Sequence, residues 1–184
     1  MEKIIAYYCA PALAGIKSAN IFSCGIFNIN KMTAEIKRLN TELNIKGIYI
    51  EPLYICNRRI IIMVYRKKVL MKTLEKSEHK EFLKKYGYGR CTSIQSYISV
   101  LKNRLNENEY PHEIGIFLGY PLHDIYGYLY KNNNECLLCG EWKVYKNVNE
   151  ARKLFYRFDT CRMALIKKLL CGKKLSEIFV NDLD

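Results

Sequence analysis

The chain has no run of eighteen apolar residues, so no hydrophobic segment is long enough to make a membrane-spanning helix. It also has no glycine-rich phosphate loop. Gly115 and Gly119 bracket an apolar stretch with no Lys-Ser/Thr after it. Gly87 and Gly89 follow a helical pattern and lack the third glycine of a dinucleotide fingerprint. Nucleotide-dependent chemistry therefore has no support in the motifs. Acidic residues are scarce, 18 against 30 Lys and Arg, for a formal charge of +12. A basic excess can mark a nucleic-acid footprint when it gathers on one face. Here the cations are spread over several helix faces, and Lys, Asn, Ile and Tyr are abundant together, as in AT-rich genomes. Nucleic acid is accordingly not the expected partner. The opening MEKIIAYYCAPALAGIK lacks a basic n-region and is broken by Tyr7, Tyr8 and Pro11, which argues against an export signal. The expected location is cytoplasmic. Cys9, Cys24, Cys56, Cys91, Cys136, Cys139, Cys161 and Cys171 are then expected as reduced thiols, several of them packing as small hydrophobes.

What is present reads as one compact α+β domain over 1–184, long enough to bury a core without staples. A helical segment over 3–18 is interrupted or restarted at Cys9-Ala10-Pro11, since proline favours a first helical turn. Ala19–Cys24 reads as a strand. Asn30 caps a helix carrying Met32, Ile36, Leu39 and Leu43, which Gly47 ends. Ile48–Ile55 and Arg59–Tyr65 form a hairpin (48–65) through Cys56-Asn57-Arg58, with Pro52 at an edge or bulge and Ile60–Val64 covered on both faces. Ser77 caps a short helix, and Thr92-Ser93-Ile94-Gln95 opens another through a capping box. A strand follows over about 113–119, then a helix from Pro121, a turn at 131–134 and a broken strand over 135–145. Asn147 opens the long C-terminal helix to about Cys171, and Leu175–Val180 closes the chain. The predicted sheet is mixed, with about five strands flanked by helices.

The densest chemistry lies in 111–124, where His112, Glu113, His123 and Asp124 surround a short apolar core. If a helix starts at Pro11, Cys9 lies beside its N-terminus, which would lower the thiol pKa. Cys9 as nucleophile, His112 as base and Asp124 as its orienter would then make a thiol triad. A buried Glu113 needs a partner, for which Lys17, Arg59 and Arg66 are candidates. Lys17 and Arg66 would alternatively hold an anionic group, with Glu113 shaping the pocket and Tyr120 and Trp142 among its aromatic walls. Cys136 and Cys139 have half the spacing of a zinc site with no second pair, so no metal ligands are assigned. His79 is expected exposed and without a role. The cations of the long helix, Arg152, Lys153, Arg157, Arg162, Lys167 and Lys168, read as a solvent face.

Four blocks carry a family resemblance. Cys9-Ala-Pro-Ala-Leu-Ala-Gly-Ile-Lys17 with Ser18–Phe22, Ile62-Met-Val-Tyr-Arg66, Pro111–Pro121 with Asp124, and Cys139-Gly-Glu-Trp-Lys-Val-Tyr145 resemble, in order, a bacterial family named domain of unknown function 3793. The family pattern has Pro where Ser18 stands. The resemblance implies an anaerobic bacterium of the Firmicutes and gene neighbours in flavodoxin and ferrous-iron transport. It supplies no activity and no cofactor. The leading expectation is a ligand-binding or accessory protein of iron or redox metabolism, with a pocket near Cys9 and the His112–Asp124 corner and a small-molecule or protein partner. A cysteine-dependent hydrolase or transferase is the rival, so enzymatic activity stays open. Nucleic-acid binding through the basic helix ranks third.

Overall fold

The computed structural model describes residues 1–56, 58–107, 110–131 and 135–179. Its organising strand is β3 (Arg59–Arg66), which lies between β1 (Ala19–Gly25) and β2 (Ile48–Cys56) in an antiparallel sheet of order β1-β3-β2. Successive side chains of a strand point to opposite faces. Ile60, Ile62 and Val64 therefore pack with Ile5, Cys9, Leu39 and Leu43 of α1 (Glu2–Leu13) and α2 (Ile29–Leu43). Ile61, Met63 and Tyr65 go the other way, to the cluster formed by α3 (Lys67–Leu74), α5 (Ile94–Leu105) and α6 (Ile114–Phe117). A strand buried on both faces reads as an unbroken apolar run, which is why Ile60–Val64 shows no alternation. Pro52 lies on the edge strand β2, and the register shifts between Pro52 and Tyr54. The missing N–H of proline is tolerated there because an edge or bulge does not need it.

The sheet has three strands, with a separate two-stranded ribbon of β4 (Leu138–Cys139) and β5 (Lys143–Val144), where about five strands in one sheet were expected. The stretch over 113–119 is not a strand. It forms the one-turn helix α6, then Gly119 in the left-handed region (φ 72°). A short apolar run that is buried all round fits a strand or a buried helix equally well, so periodicity could not separate them. Asn28, not Asn30, caps α2, its side chain accepting from Lys31 N at 2.9 Å. The capping box of α5 joins Ser93 to Ser96. α4 (Ser77–Leu83) begins after Lys76 and has no side-chain cap, and α7 (Leu122–Tyr130) starts after Pro121. The long helix α8 (Val148–Leu170) is as expected, and α9 (Leu175–Ile178) follows it. Asn57, residues 132–134 and Val180, which figured in the expected turns and last helix, lie outside the described residues.

Pro11 does not begin a helix: α1 runs through it without a break. Proline in a helix interior leaves the carbonyl four residues earlier without its N–H. That carbonyl belongs to Tyr7, and Arg162 of α8 donates to it from Nε at 2.9 Å. The neighbouring carbonyl of Ala10 accepts from Cys161 Sγ at 3.5 Å. A defect in α1 thus becomes a junction with α8.

Candidate functional site

The site is built at the corner between α6 and α7. Both glycines of the corner are required there. A Cβ at Gly119 would lie 2.8 Å from Ser18 Oγ, on top of the positive φ. One at Gly115 would lie 3.0 Å from Ile125 and 3.3 Å from Tyr120, so its absence lets α7 close against α6. Between the two helices and the β4–β5 ribbon is a pocket of about 290 Å3. Ile21, Ile114, Leu118 and Ile125 form its apolar floor, and Tyr110, Tyr120, Tyr128 and Trp142 its aromatic walls. His112 is exposed at its mouth, with its ring 5.1 Å from that of Tyr128 and 5.9 Å from that of Tyr110. The Lys143 ammonium lies 5.9 Å from the Tyr128 ring on the same rim.

Asp124 touches this pocket, but its carboxylate is committed elsewhere. Oδ2 accepts from Trp142 Nε1 at 2.8 Å, and Oδ1 accepts from the backbone N–H groups of Tyr145 at 2.7 Å and Lys146 at 3.2 Å. Three donors satisfy a buried carboxylate and fix the indole ring in the wall. Tyr120 stands 5.0 Å from the Trp142 ring and donates its hydroxyl to the Glu141 carbonyl at 3.2 Å. Asp124 is therefore a clamp on Trp142, and the orienting role expected for it at His112 has no support in this geometry.

Cys9 and His112 are not brought together. Cys9 is fully buried on the α1 side of the sheet, whereas the pocket opens on the α6 side, where its floor includes Ile114 and Ile125. In the unbroken α1, Cys9 lies in the later half of the helix, not beside an N-terminus. Burial pushes its thiol well above the ordinary value, against smaller opposing effects of Lys17 and Arg162. The remaining charged candidates serve packing. Lys17 Nζ lies 3.3 Å from Glu141 Oε2 and above the rings of Tyr120 and Phe158. Burial lowers its pKa, and Glu141 works against that. Burial raises the Glu141 carboxyl, but the bond from Arg162 at 2.7 Å and the charge of Lys17 more than offset it. Arg66 joins α1 to the turn after α2, donating to the Leu13 carbonyl at 2.7 Å and the Lys46 carbonyl at 3.1 Å. Lys17 and Arg66 are thus engaged in the frame and do not line the pocket.

Glu113 is fully buried and paired, but with none of the expected partners. Arg104 of α5 donates to Oε1 from Nε at 2.9 Å, and the Tyr88 hydroxyl lies 3.3 Å from the same oxygen. Arg59 instead bonds Ser23 Oγ at 3.0 Å. His79 is also a correction, being only 5% exposed, with Nδ1 2.7 Å from the Thr73 carbonyl oxygen. The spacing His79, Phe82, Leu83 puts the imidazole on the apolar face of α4, and that signal was readable. The pocket residues missed from sequence are Tyr110 and Ile125. Tyrosine is so common here, 15 in the chain, that no single one stands out. Among the described residues no three His, Cys, Asp or Glu side chains are grouped to hold a metal ion, and no helix is long and apolar enough to cross a membrane.

The fold and the pocket define a class: an α+β protein whose antiparallel sheet is helix-covered on both faces, with an aromatic pocket beside it. Residues 5–179 match the family model described as "Protein of unknown function (DUF3793)", and the chain belongs to that family. No curated protein and no solved structure matches the chain.

Proposed function

We propose that this protein binds a small, planar, largely apolar molecule in the pocket between α6, α7 and the β4–β5 ribbon, and acts as a ligand-binding or accessory protein. The supporting observation is the composition of that pocket. Four aromatic rings and an aliphatic floor enclose about 290 Å3, the one carboxylate of the wall among the described residues is spent on Trp142 and two backbone N–H groups, and His112 and Lys143 stand at the rim. The volume is near the lower end of the roughly 300–1,000 Å3 usual for ligand pockets, which suits one or two fused rings. The His112 imidazole and the Lys143 ammonium at the rim are both hydrogen-bond donors, which favours a ligand with an acceptor substituent pointing outward. A place in iron or redox metabolism, or beside a flavodoxin-like partner, rests on the family resemblance alone. The rival thiol chemistry draws no support from a buried Cys9 across the sheet from His112.

Trp142 is the only tryptophan, so its indole N–H gives one unambiguous NMR signal in the wall of the site. Titration with 2-naphthoate should move that signal saturably. Tyr128→Ala and His112→Ala, both on the exposed rim, should weaken binding by about fivefold or more, as loss of a packed ring or a hydrogen bond would. A signal that does not move, or that moves in both variants as it does in the parent, would end this reading.

A further inference from the structure

Asn40 of α2 guards one edge of the main sheet. Its side-chain amide stands where a neighbouring strand would, donating to the Ile50 carbonyl at 2.8 Å and accepting from Ile50 N at 2.9 Å. Further along β2, Pro52 and the register shift after it break the pairing line, and Glu51 is held by the Lys102 ammonium. Such devices keep a sheet edge from taking up another strand. The opposite edge, β1, reads Ala-Asn-Ile-Phe-Ser-Cys-Gly, with no charge, no proline and an unbroken register. Ile26 N donates to the Arg58 carbonyl, and the backbone groups of an antiparallel strand alternate in direction. The N–H and C=O groups of Ser23 and Gly25 therefore point away from β3, and both residues are exposed. The Ser23 carbonyl accepts from Arg59 Nη2 at 3.3 Å, which leaves it a second lone pair.

Beside this bare edge, a groove of about 810 Å3 lies between the start of α1, β1 and α2, with Ile4, Phe22, Cys24 and Met32 in its lining. Phe27, just after β1, stands on its rim with the side chain fully exposed, and Ile4, Tyr8 and Ile29 are exposed as well. One surface thus presents a bare strand, an apolar hollow and a projecting ring. A two-fold axis lets a surface that carries both knob and hollow complement itself, because each copy fills the other. We propose that this face binds a second copy of the chain, with the two β1 strands pairing antiparallel over Ile21–Gly25 and Phe27 of each copy seated in the groove of the other. Across such an axis β1 meets itself, and an uncharged strand meets no like charge there. Arg38, on the groove wall, is engaged by Glu2, Glu35 and Glu42 of its own chain, so the groove does not call for a charged partner. Lys31 on the same wall is exposed and keeps its ammonium in water. The groove shares no residue with the aromatic pocket, and the proposal does not depend on what that pocket holds.

Sedimentation equilibrium of the full chain tests this, with a thiol reductant present so that exposed Cys56, Cys139 and Cys171 do not cross-link copies. The mass should rise with concentration from 21.7 kDa to twice that. Half-association is expected at about 1–100 μM, as for a small interface. Phe27→Ala removes a ring that the monomer leaves in solvent, and should raise the dissociation constant about tenfold or more. Ser23→Lys sets two ammonium groups against each other at the pairing line and should act in the same direction. Both positions are exposed, so the urea midpoints should stay close to the parent's where the parent is monomeric. Amide exchange reads the edge directly. The N–H groups of Ser23 and Gly25 should exchange more slowly as concentration rises, while that of Ile50, held by Asn40 on the other edge, should not change. A chain that is monomeric at every concentration leaves the edge to a strand of another protein and overturns the proposal. A dimer that neither variant weakens, or that forms without slowing exchange at Ser23 and Gly25, overturns it as well.

Discussion

The two faces of the sheet are finished in different ways. On the α1 side, Cys9, Ile5 and Leu13 of α1 pack against Ile60, Ile62 and Val64 in the buried core, and the carbonyl freed by Pro11 is closed by Arg162. On the α6 side the core contains a fully buried carboxylate with one unpartnered oxygen, Glu113 Oε2, and the aromatic pocket opens on this side. The first face gains stability from continuous apolar contact. The second gives up some of that contact to polar groups with specific partners. The comparison separates two residues that look alike in the sequence: Cys9 and His112 both sit in distinctive blocks, but one is core and the other is on a rim.

The largest effect that would sharpen this contrast is expected at the buried pair on the α6 side. Arg104→Ala removes the ion-pair partner of the buried Glu113 and leaves only the Tyr88 hydroxyl on its Oε1. Loss of one partner of a buried pair costs about 3–5 kcal/mol, and the lower end applies because the Arg104 side chain is 23% exposed. Urea unfolding would measure it, and pairing the change with Glu113→Gln should restore part of the loss. Arg104→Ala alone with an unchanged midpoint would show that the carboxylate is not held as described.

An intermediate effect is expected from pH on the other face. Burial raises the folded Cys9 thiol above its unfolded value, so the neutral thiol stabilises the fold at lower pH. That contribution is fully present below about pH 8.5, the unfolded thiol value, and is lost as pH rises, at up to about 1.4 kcal/mol per pH unit. Tyr65, Tyr88 and Tyr120, raised by burial as well, join the same decline only above about pH 10. Stability of Cys9→Ala should therefore fall less than that of the parent between those limits. Equal slopes would mean that Cys9 reaches solvent in the native state, which would break the contrast between the faces. The smallest effect on stability is expected for His112→Ala, within about 0.5 kcal/mol, since the ring is exposed at the rim. A loss several times larger in thermal unfolding would make His112 part of the core.

The hairpin over 48–66, the helix over 29–43 and the long helix over 148–170 were legible because each has a strong local pattern: β-branched runs around a turn, or apolar positions at helical spacing. The stretch over 113–119, which lies beside the pocket, was assigned the wrong secondary structure, since burial on all sides erases the period. Pro11 misled for a related reason. Proline prefers a first turn, but a helix carries it in its interior when another group takes the freed carbonyl, and Arg162 lies 155 residues away from Tyr7. Glu113 was correctly read as needing a partner. The partner itself was missed because Arg104 approaches from α5, an element that the sequence does not orient relative to α6.

By itself the sequence determined the α+β composition, the positions of the strongest helices and strands, the membership of a family and the stretch around which the pocket forms. These follow from properties that act within a few residues: side-chain periodicity, capping and the freedom of glycine. The tertiary structure alone decided that Cys9 and His112 face opposite sides of β3, that Asp124 clamps Trp142, and that Arg104 reaches Glu113. Those outcomes depend on which elements pack together, and packing is set by the joint burial of surfaces far apart in the chain, which no local pattern encodes.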